Sequence, residues 1–324
     1  MAAQSGLPLA YPHGRPRVGR VRGYFRQFHK EDVVMGYLFL LIPMAIFILF
    51  FFVAMVFDLW ISIQQWAIID TPKFVGSTNY NYIFNIDPVF WIAVKNSIEY
   101  ALVVVPLQTL LAFTLAVIVN QNIRGKKFFR TAFYFPSVTS SVAITLLFMW
   151  LFNNNGLVNY VLSLVHLGPI GPFGTVGFLT DPNLALKSII GLNTWTTSGT
   201  YMIIFLAALQ DVPRDMYEAA AIDGANAWQA IRKITIPLIR PATFLIVATG
   251  LIGAIQMFDQ AFVMSQGNPG SPDNSTLTMV LYIYGTGIQG NQYGRAAAAS
   301  FVMFCIIFVA TLLVRRLIRE EAAF

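Results

Sequence analysis

Long stretches of this chain carry no charged residue at all, and the placement of those gaps is what most restricts how it can fold. An ionised side chain at the centre of a bilayer is costly, and roughly 20 apolar residues rising about 1.5 Å each cross the hydrocarbon as a helix. Five charge-free windows meet that length at once: residues 33–57, 100–123, 188–210, 241–258 and 296–314. A longer charge-free region follows Arg130. Its sequence Asn153-Asn154-Asn155-Gly156 is a turn signal, and dividing the region there leaves 131–152 as a further span. The reading is an all-α polytopic membrane protein with six transmembrane helices. A chain with 56% hydrophobic and 11% charged residues lies far from the soluble balance, which agrees.

The net charge of +6 would suit a nucleic-acid partner only if the cations formed a patch, and they do not. They flank the windows on alternate sides. Basic residues precede the first window, recur at Arg124, Lys126, Lys127 and Arg130, again at Arg214, Arg232, Lys233 and Arg240, and end at Arg315, Arg316 and Arg319. Only Lys73, Lys95, Lys187 and Arg295 fall on the opposite side. The positive-inside rule then places both termini in the cytoplasm, with the lipid bilayer, not nucleic acid, as partner. The basic arm 1–32 reads as a topology signal, and the first window is too long and lacks the small-residue site of a cleavable leader. The six-helix domain runs over 33–317 and a short cytoplasmic tail over 318–324. One cysteine, Cys305, and three scattered histidines, His13, His29 and His166, offer no disulfide, metal site or catalytic cluster. The apolar segment 157–165 is too short to span and is expected at the interface or on neighbouring helices.

The connector 211–240 is richer than a connector needs. Pro213 suits a first helical turn, and Asp215 and Glu218 follow where negative charge meets the positive end of a helix dipole. Met216, Ala219, Ala220 and Asp223 recur at helical spacing on one face. Gly224 permits a sharp turn, and a second helix carrying Trp228, Ile231 and Ile234 toward the membrane is expected to stop at Pro237. On physics alone this is either a rigid exposed knob or an amphipathic connector lying on the bilayer.

Glu218-Ala219-Ala220, three residues, Gly224, nine residues, Ile234, one residue and Ile236-Pro237 resemble the EAA signature of the membrane subunits of binding-protein-dependent ABC importers. Ile236 stands where the signature has Leu. With Ile222-Asp223-Gly224-Ala225, Arg124-Gly125-Lys126, Asn193-Thr194-Trp195 and Gln266-Gly267-Asn268-Pro269-Gly270, residues 35–317 are similar to the carbohydrate-uptake branch, typified by maltose and glycerol-3-phosphate permeases. The resemblance implies the type I importer permease fold in a prokaryotic cytoplasmic (inner) membrane, with the loop as a coupling helix that docks through Glu218, Ala219, Ala220, Asp223 and Gly224. It implies a heterodimer with a second, similar permease, two ATPase subunits that hold ATP and magnesium, and an extracytoplasmic sugar-binding protein. This chain itself has no phosphate-binding G-x-x-x-x-G-K-[ST] loop, so the expectation is a non-catalytic subunit without cofactor or metal.

A secondary transporter driven by protons or sodium needs intramembrane ionisable groups, and none of the windows holds a carboxylate; Asp58, Glu99 and Asp259 lie near window ends. The windows do hold neutral polar groups with Trp195, Tyr201 and Phe258 nearby, a set suited to sugar hydroxyls and ring faces. By resemblance to the maltose permease pattern, Ser137, Ser141, Asn193, Thr197, Thr249, Gly253 and Gln256 match positions lining its substrate cavity. That pattern has Gly in place of Thr197 and Asn in place of Gly253. A neutral oligosaccharide or glycoside is expected, with glycerol-3-phosphate as the alternative solute.

Overall fold

The computed structural model describes residues 30–67, 70–121, 124–164 and 176–318. Most of the basic arm, with His13 and His29, lies outside them, as do His166, Arg319 and the tail beyond 318. The chain parts into two units, Met1–Val56 and Phe57–Phe324. In the first, α1 (Lys30–Phe47) passes into a wide π turn over Ile48–Val53, and apolar side chains such as Phe39 and Phe50 are exposed along it. A helix this apolar suits a solvent of lipid.

The second unit is a helical bundle. After α2 (Ala54–Ser62) comes a two-residue antiparallel hairpin, β1 (Gln64–Gln65) with β2 (Lys73–Phe74), pairing Gln64 with Phe74. Then α3 (Thr78–Asn81) leads to α4 (Pro88–Asn120), α5 (Lys126–Val138), α6 (Ser141–Phe152), α7 (Leu157–Leu164) and α8 (Pro182–Asp211). The loop helices α9 (Arg214–Ile222), α10 (Ala227–Ala230) and α11 (Ile236–Leu238) follow, then α12 (Arg240–Ile255), α13 (Asp259–Met264), α14 (Met279–Tyr284) and α15 (Tyr293–Leu317).

Helices α4 and α8 form the centre, and both start by one device. Asp87 and Asp181 accept the amides of Val89 and Asn183, with Pro88 and Pro182 behind them in the first turn, where a missing amide costs nothing. One core gathers Phe90, Tyr100 and Val104 of α4 with Ile189 of α8 and Met279 and Leu281 of α14. Another, toward the end bearing the 211–240 loop, gathers Ala112, Ala116 and Val119 with Met202, Phe205 and Ile246. At the opposite end Asn96 donates to the carbonyls of Asn274 and Leu277, and Ser97 accepts the Met279 amide, which fastens the 265–278 loop to α4. The Tyr282 hydroxyl donates to Asp87 at 2.7 Å; burial, then that carboxylate, push its pKa up.

Among the described residues, five helical stretches are long and apolar enough to cross a membrane: Val34–Ser62, Pro88–Asn120, Ser141–Leu164, Arg240–Met264 and Tyr293–Leu317. The expected window 188–210 is helical within the 30 residues of α8, but Asn193, Thr194, Thr196 and Thr197 dilute its apolarity. A helix at the centre of a bundle faces protein more than lipid and tolerates such residues. The window 131–152 is not one helix. It breaks between α5 and α6, where Thr139 and Ser140 are extended (ψ 145° and 129°). Pro136, inside α5, lacks an amide, so the Ala132 carbonyl has no partner in the helical ladder of the last turns before the break. The turn at 153–156 is present, closed by the Gly156 amide on the Asn153 carbonyl at 2.8 Å.

Pro237 does not stop the second loop helix. A π turn over Ile231–Thr235 precedes it, and the chain continues to Ile239, which leaves helical geometry at φ −90°, ψ 8°. Widening the helix by one residue gives the proline ring room against the preceding turn, so the break falls two residues later than expected.

Candidate functional site

A polar cavity of about 280 Å³ opens between α4, α8, α12 and α13. Tyr100, Val104 and Gln108 come from α4, Asn193, Thr197 and Tyr201 from α8, and Gly250 and Gly253 from α12. Gln256 and Phe258 come from the break after α12, and Asp259 and Gln260 from α13. A neighbouring cavity of about 200 Å³ is walled by Ser137, Thr139 and Ser141 beside the α5–α6 break, by Asn193, Thr196, Thr197 and Thr200 of α8, and again by Gln260. Broken helices thus border both cavities, which is where irregular backbone at membrane depth is tolerated.

Asn193 is the hub. Its Nδ2 donates to the Tyr100 hydroxyl, and its Oδ1 accepts from Gln260 Nε2 at 3.4 Å and from Thr197 Oγ1 at 3.4 Å. Gln260 Nε2 also donates to Ser141 Oγ at 3.1 Å. Of the side chains singled out in the sequence, Asn193, Thr197, Gly253 and Gln256 stand in the wall of the larger cavity, and Ser137 and Ser141 in that of the smaller. Thr249 is in neither wall. Its hydroxyl donates back to the Leu245 carbonyl at 2.6 Å, as threonines in helices do. Ser137 serves packing as well: it donates to the Thr196 carbonyl at 2.6 Å and accepts the Thr200 amide at 3.1 Å, tying α5 to α8. Trp195 borders a separate apolar groove with Phe148, Phe152 and Leu192.

Gln260, Tyr100 and Gln108 were not among the expected residues. Gln260 lies beyond Asp259, the charge that closed the window 241–258, so counting charge-free residues excluded it. Tyr100 and Gln108 are legible as polar positions within a window, with nothing in their spacing to say which way they face. Among the described residues lining the two cavities Asp259 is the one charged side chain; no Lys or Arg is present.

At the loop end, α9 runs from the Pro213 cap to Asp223, and Gly224 turns the chain at φ +77°. Glu218, Ala219, Asp223 and Gly224 are exposed and Ala220 is half-buried. Ile222 and Trp228 are also exposed, at 87% and 67%. Asn226 and Gln229 form a reciprocal capping box that starts α10. Underneath, the Tyr217 hydroxyl bonds Thr235 Oγ1 at 2.9 Å, and Tyr217, Ile234 and Leu238 pack on the second core. The result is a projecting helix pair anchored through its inner face.

A bundle of membrane helices around a polar cavity lined by no Lys or Arg, with an anchored helix pair at one end, defines a membrane-embedded solute pathway. Residues 108–321 match the family of binding-protein-dependent transport system inner membrane components, and the chain belongs to that family. It is 38% identical over 243 residues to the lactose transport system permease protein LacF of Rhizobium radiobacter, covering 74% of this chain and 80% of that one. It is 30% identical to the arabinooligosaccharides transport system permease protein AraP of Bacillus subtilis, covering 93% of both chains. Its fold matches a chain from the crystal structure of a bacterial ABC transporter involved in the import of the acidic polysaccharide alginate, with TM-score 0.76, 24% identity and coverage of 93% and 99%.

Proposed function

We propose that this chain is the permease subunit of an ATP-driven importer and forms half of the pathway for a neutral saccharide, handed to it by an extracytoplasmic binding protein. The observation that carries the substrate class is the cavity wall: amides, hydroxyls, aromatic rings and one carboxylate, Asp259, with no Lys or Arg. A phosphate or sugar acid in a partly desolvated cavity calls for charge-assisted bonds from a cation, whereas sugar hydroxyls pair with Asn193, Thr197, Gln256 and Ser141. The names of the lactose and arabinooligosaccharide relatives support this reading. Glycerol-3-phosphate, which would need a cation there, is set aside.

The assembly in this reading is a heterodimer with a second, similar permease, two ATPase subunits that bind ATP and magnesium, and the binding protein. Both termini and the 211–240 loop face the cytoplasm of a prokaryotic inner membrane, within a permease domain of 33–317. Glu218, Ala219, Ala220, Asp223 and Gly224 seat the projecting helix in an ATPase groove; its exposure and its anchorage through Tyr217 support that role. The test is reconstitution of the importer in liposomes, with uptake of labelled neutral di- and trisaccharides compared with glycerol-3-phosphate. Saccharide uptake is expected, and efficient glycerol-3-phosphate uptake without it would overturn the reading.

A further inference from the structure

The two polar cavities share Asn193, Thr197 and Gln260 in their walls. Asn193 and Thr197 stand on the long central helix α8, but Gln260 stands on α13, a helix of six residues directly after a break. Phe258 before it is at φ −128°, ψ −58°, and Ser141, whose hydroxyl Gln260 reaches, opens α6 directly after the other break. The Gln260 amide therefore stands between two interrupted helices, with one hydrogen bond to Ser141 and a longer one to Asn193. Phe258 and Phe262, stacked with centroids 5.0 Å apart, brace α13.

We propose that Gln260 is a partition dividing the solute pathway into two lobes, and that its displacement sets how long a saccharide the pathway accepts. This deepens the neutral-saccharide reading and rests on it. Size gives the first argument. At about 280 and 200 Å³ each lobe falls short of the roughly 300 Å³ at which ordinary ligand pockets begin, while the two joined come within that range. Chemistry gives the second. A sugar hydroxyl accepts from an amide and donates to a carbonyl oxygen, so a saccharide threading between the lobes takes over what Gln260 gives Ser141 and Asn193 and leaves no buried group unpaired. Mobility gives the third: Gln260 moves on its own side-chain torsions, and Gly253, in the wall of the larger lobe, has open space where a side chain would begin. A saccharide confined to one lobe leaves the partition in place; one that spans both must open it.

The importer is reconstituted with wild-type, Gln260→Ala and Ser141→Ala permease, and kcat/KM for uptake is measured for arabinose, arabinobiose and arabinotriose with one binding protein throughout. Taking each variant relative to wild type cancels the binding protein's own preference. Gln260→Ala is expected to raise the trisaccharide-to-monosaccharide ratio about tenfold, equivalent to about 1.4 kcal/mol. Ser141→Ala, which removes one partner of the amide, shifts the same ratio the same way by about threefold, and serves alone if the first variant does not assemble. Equal changes for all three lengths would mean that Gln260 touches sugar without dividing the path, and overturn the partition. Wild-type importer that takes up none of these sugars, nor lactose, overturns the saccharide reading itself and the partition with it.

Discussion

Gly224 sits at φ +77°, in the left-handed region, and nothing lies within 4 Å of where its β-carbon would stand. A side chain there meets no clash within the chain; it meets backbone strain, about 1–2 kcal/mol for an ordinary residue and more for a β-branched one. Gly224→Val is therefore expected to leave membrane abundance near wild type while lowering transport at least tenfold, measured as uptake per quantity of inserted protein. Gly224→Asn separates two causes, because Asn tolerates this geometry. It should retain most transport if the turn is what matters, and an Asn variant as inactive as Val points instead to a docking groove with no room for a side chain. Asn193 and Gln256 make a second comparison. Asn193 holds Tyr100, Thr197 and Gln260 in register, whereas Gln256, at the end of α12, is exposed to the cavity. One lost hydrogen bond costs about 0.5–1.5 kcal/mol, so Gln256→Ala should raise the KM for sugar several-fold, and Asn193→Ala should cost more because the network loosens with it. Equal effects would count against Asn193 as the hub.

Between elements, α5 comes close to α8 at Gly199. A β-carbon on Gly199 would meet the Phe133 carbonyl oxygen and Ser137 Oγ, and would lie 3.0 Å from Tyr134 Cα. Gly199→Leu is expected to overpack this seam by about 1–3 kcal/mol, lowering the unfolding temperature in detergent, while Gly191→Ala on the same helix, with nothing within 4 Å, leaves it unchanged. An unaltered melting curve for Gly199→Leu would show that α5 is free to move away from α8. The same seam marks how far the sequence was legible. Spans could be read because charge in hydrocarbon is costly, a rule blind to what happens inside a charge-free run. The α5–α6 break lies within such a run, and its cue, Pro136, is a residue that membrane helices often carry without breaking, as Pro106 does within α4. The cavity was half legible: Asn193, Thr197, Gly253 and Gln256 follow from family resemblance, whereas Gln260 is hidden behind Asp259, and Thr249 matches by position yet turns its hydroxyl to its own backbone. Pro237 misled for a local reason, since a π turn relieves a proline clash that helical spacing alone does not foresee.

For the whole molecule the question is where the energy of transport enters. A chain that coupled uptake to protons would need titratable groups in relay across the membrane. Asp259 stands alone in the cavity walls, and among the described residues no three His, Cys, Asp or Glu side chains gather in one place. Glu99 is exposed on α4, one residue from Tyr100 but on a different face. The loop end, by contrast, offers a projecting helix pair held to the core through Tyr217 and Thr235, a lever suited to mechanical input from another subunit. Uptake by the reconstituted importer is therefore expected to require ATP on the side of the 211–240 loop and to persist when a protonophore collapses the pH gradient. Asp259→Asn sharpens the comparison: it removes the one cavity carboxylate, so it should leave ATP dependence intact and change uptake no more than severalfold, as a lost contact with sugar would. Uptake that stops with the protonophore would place the driving force in the membrane gradient and leave the projecting helices without a mechanical role.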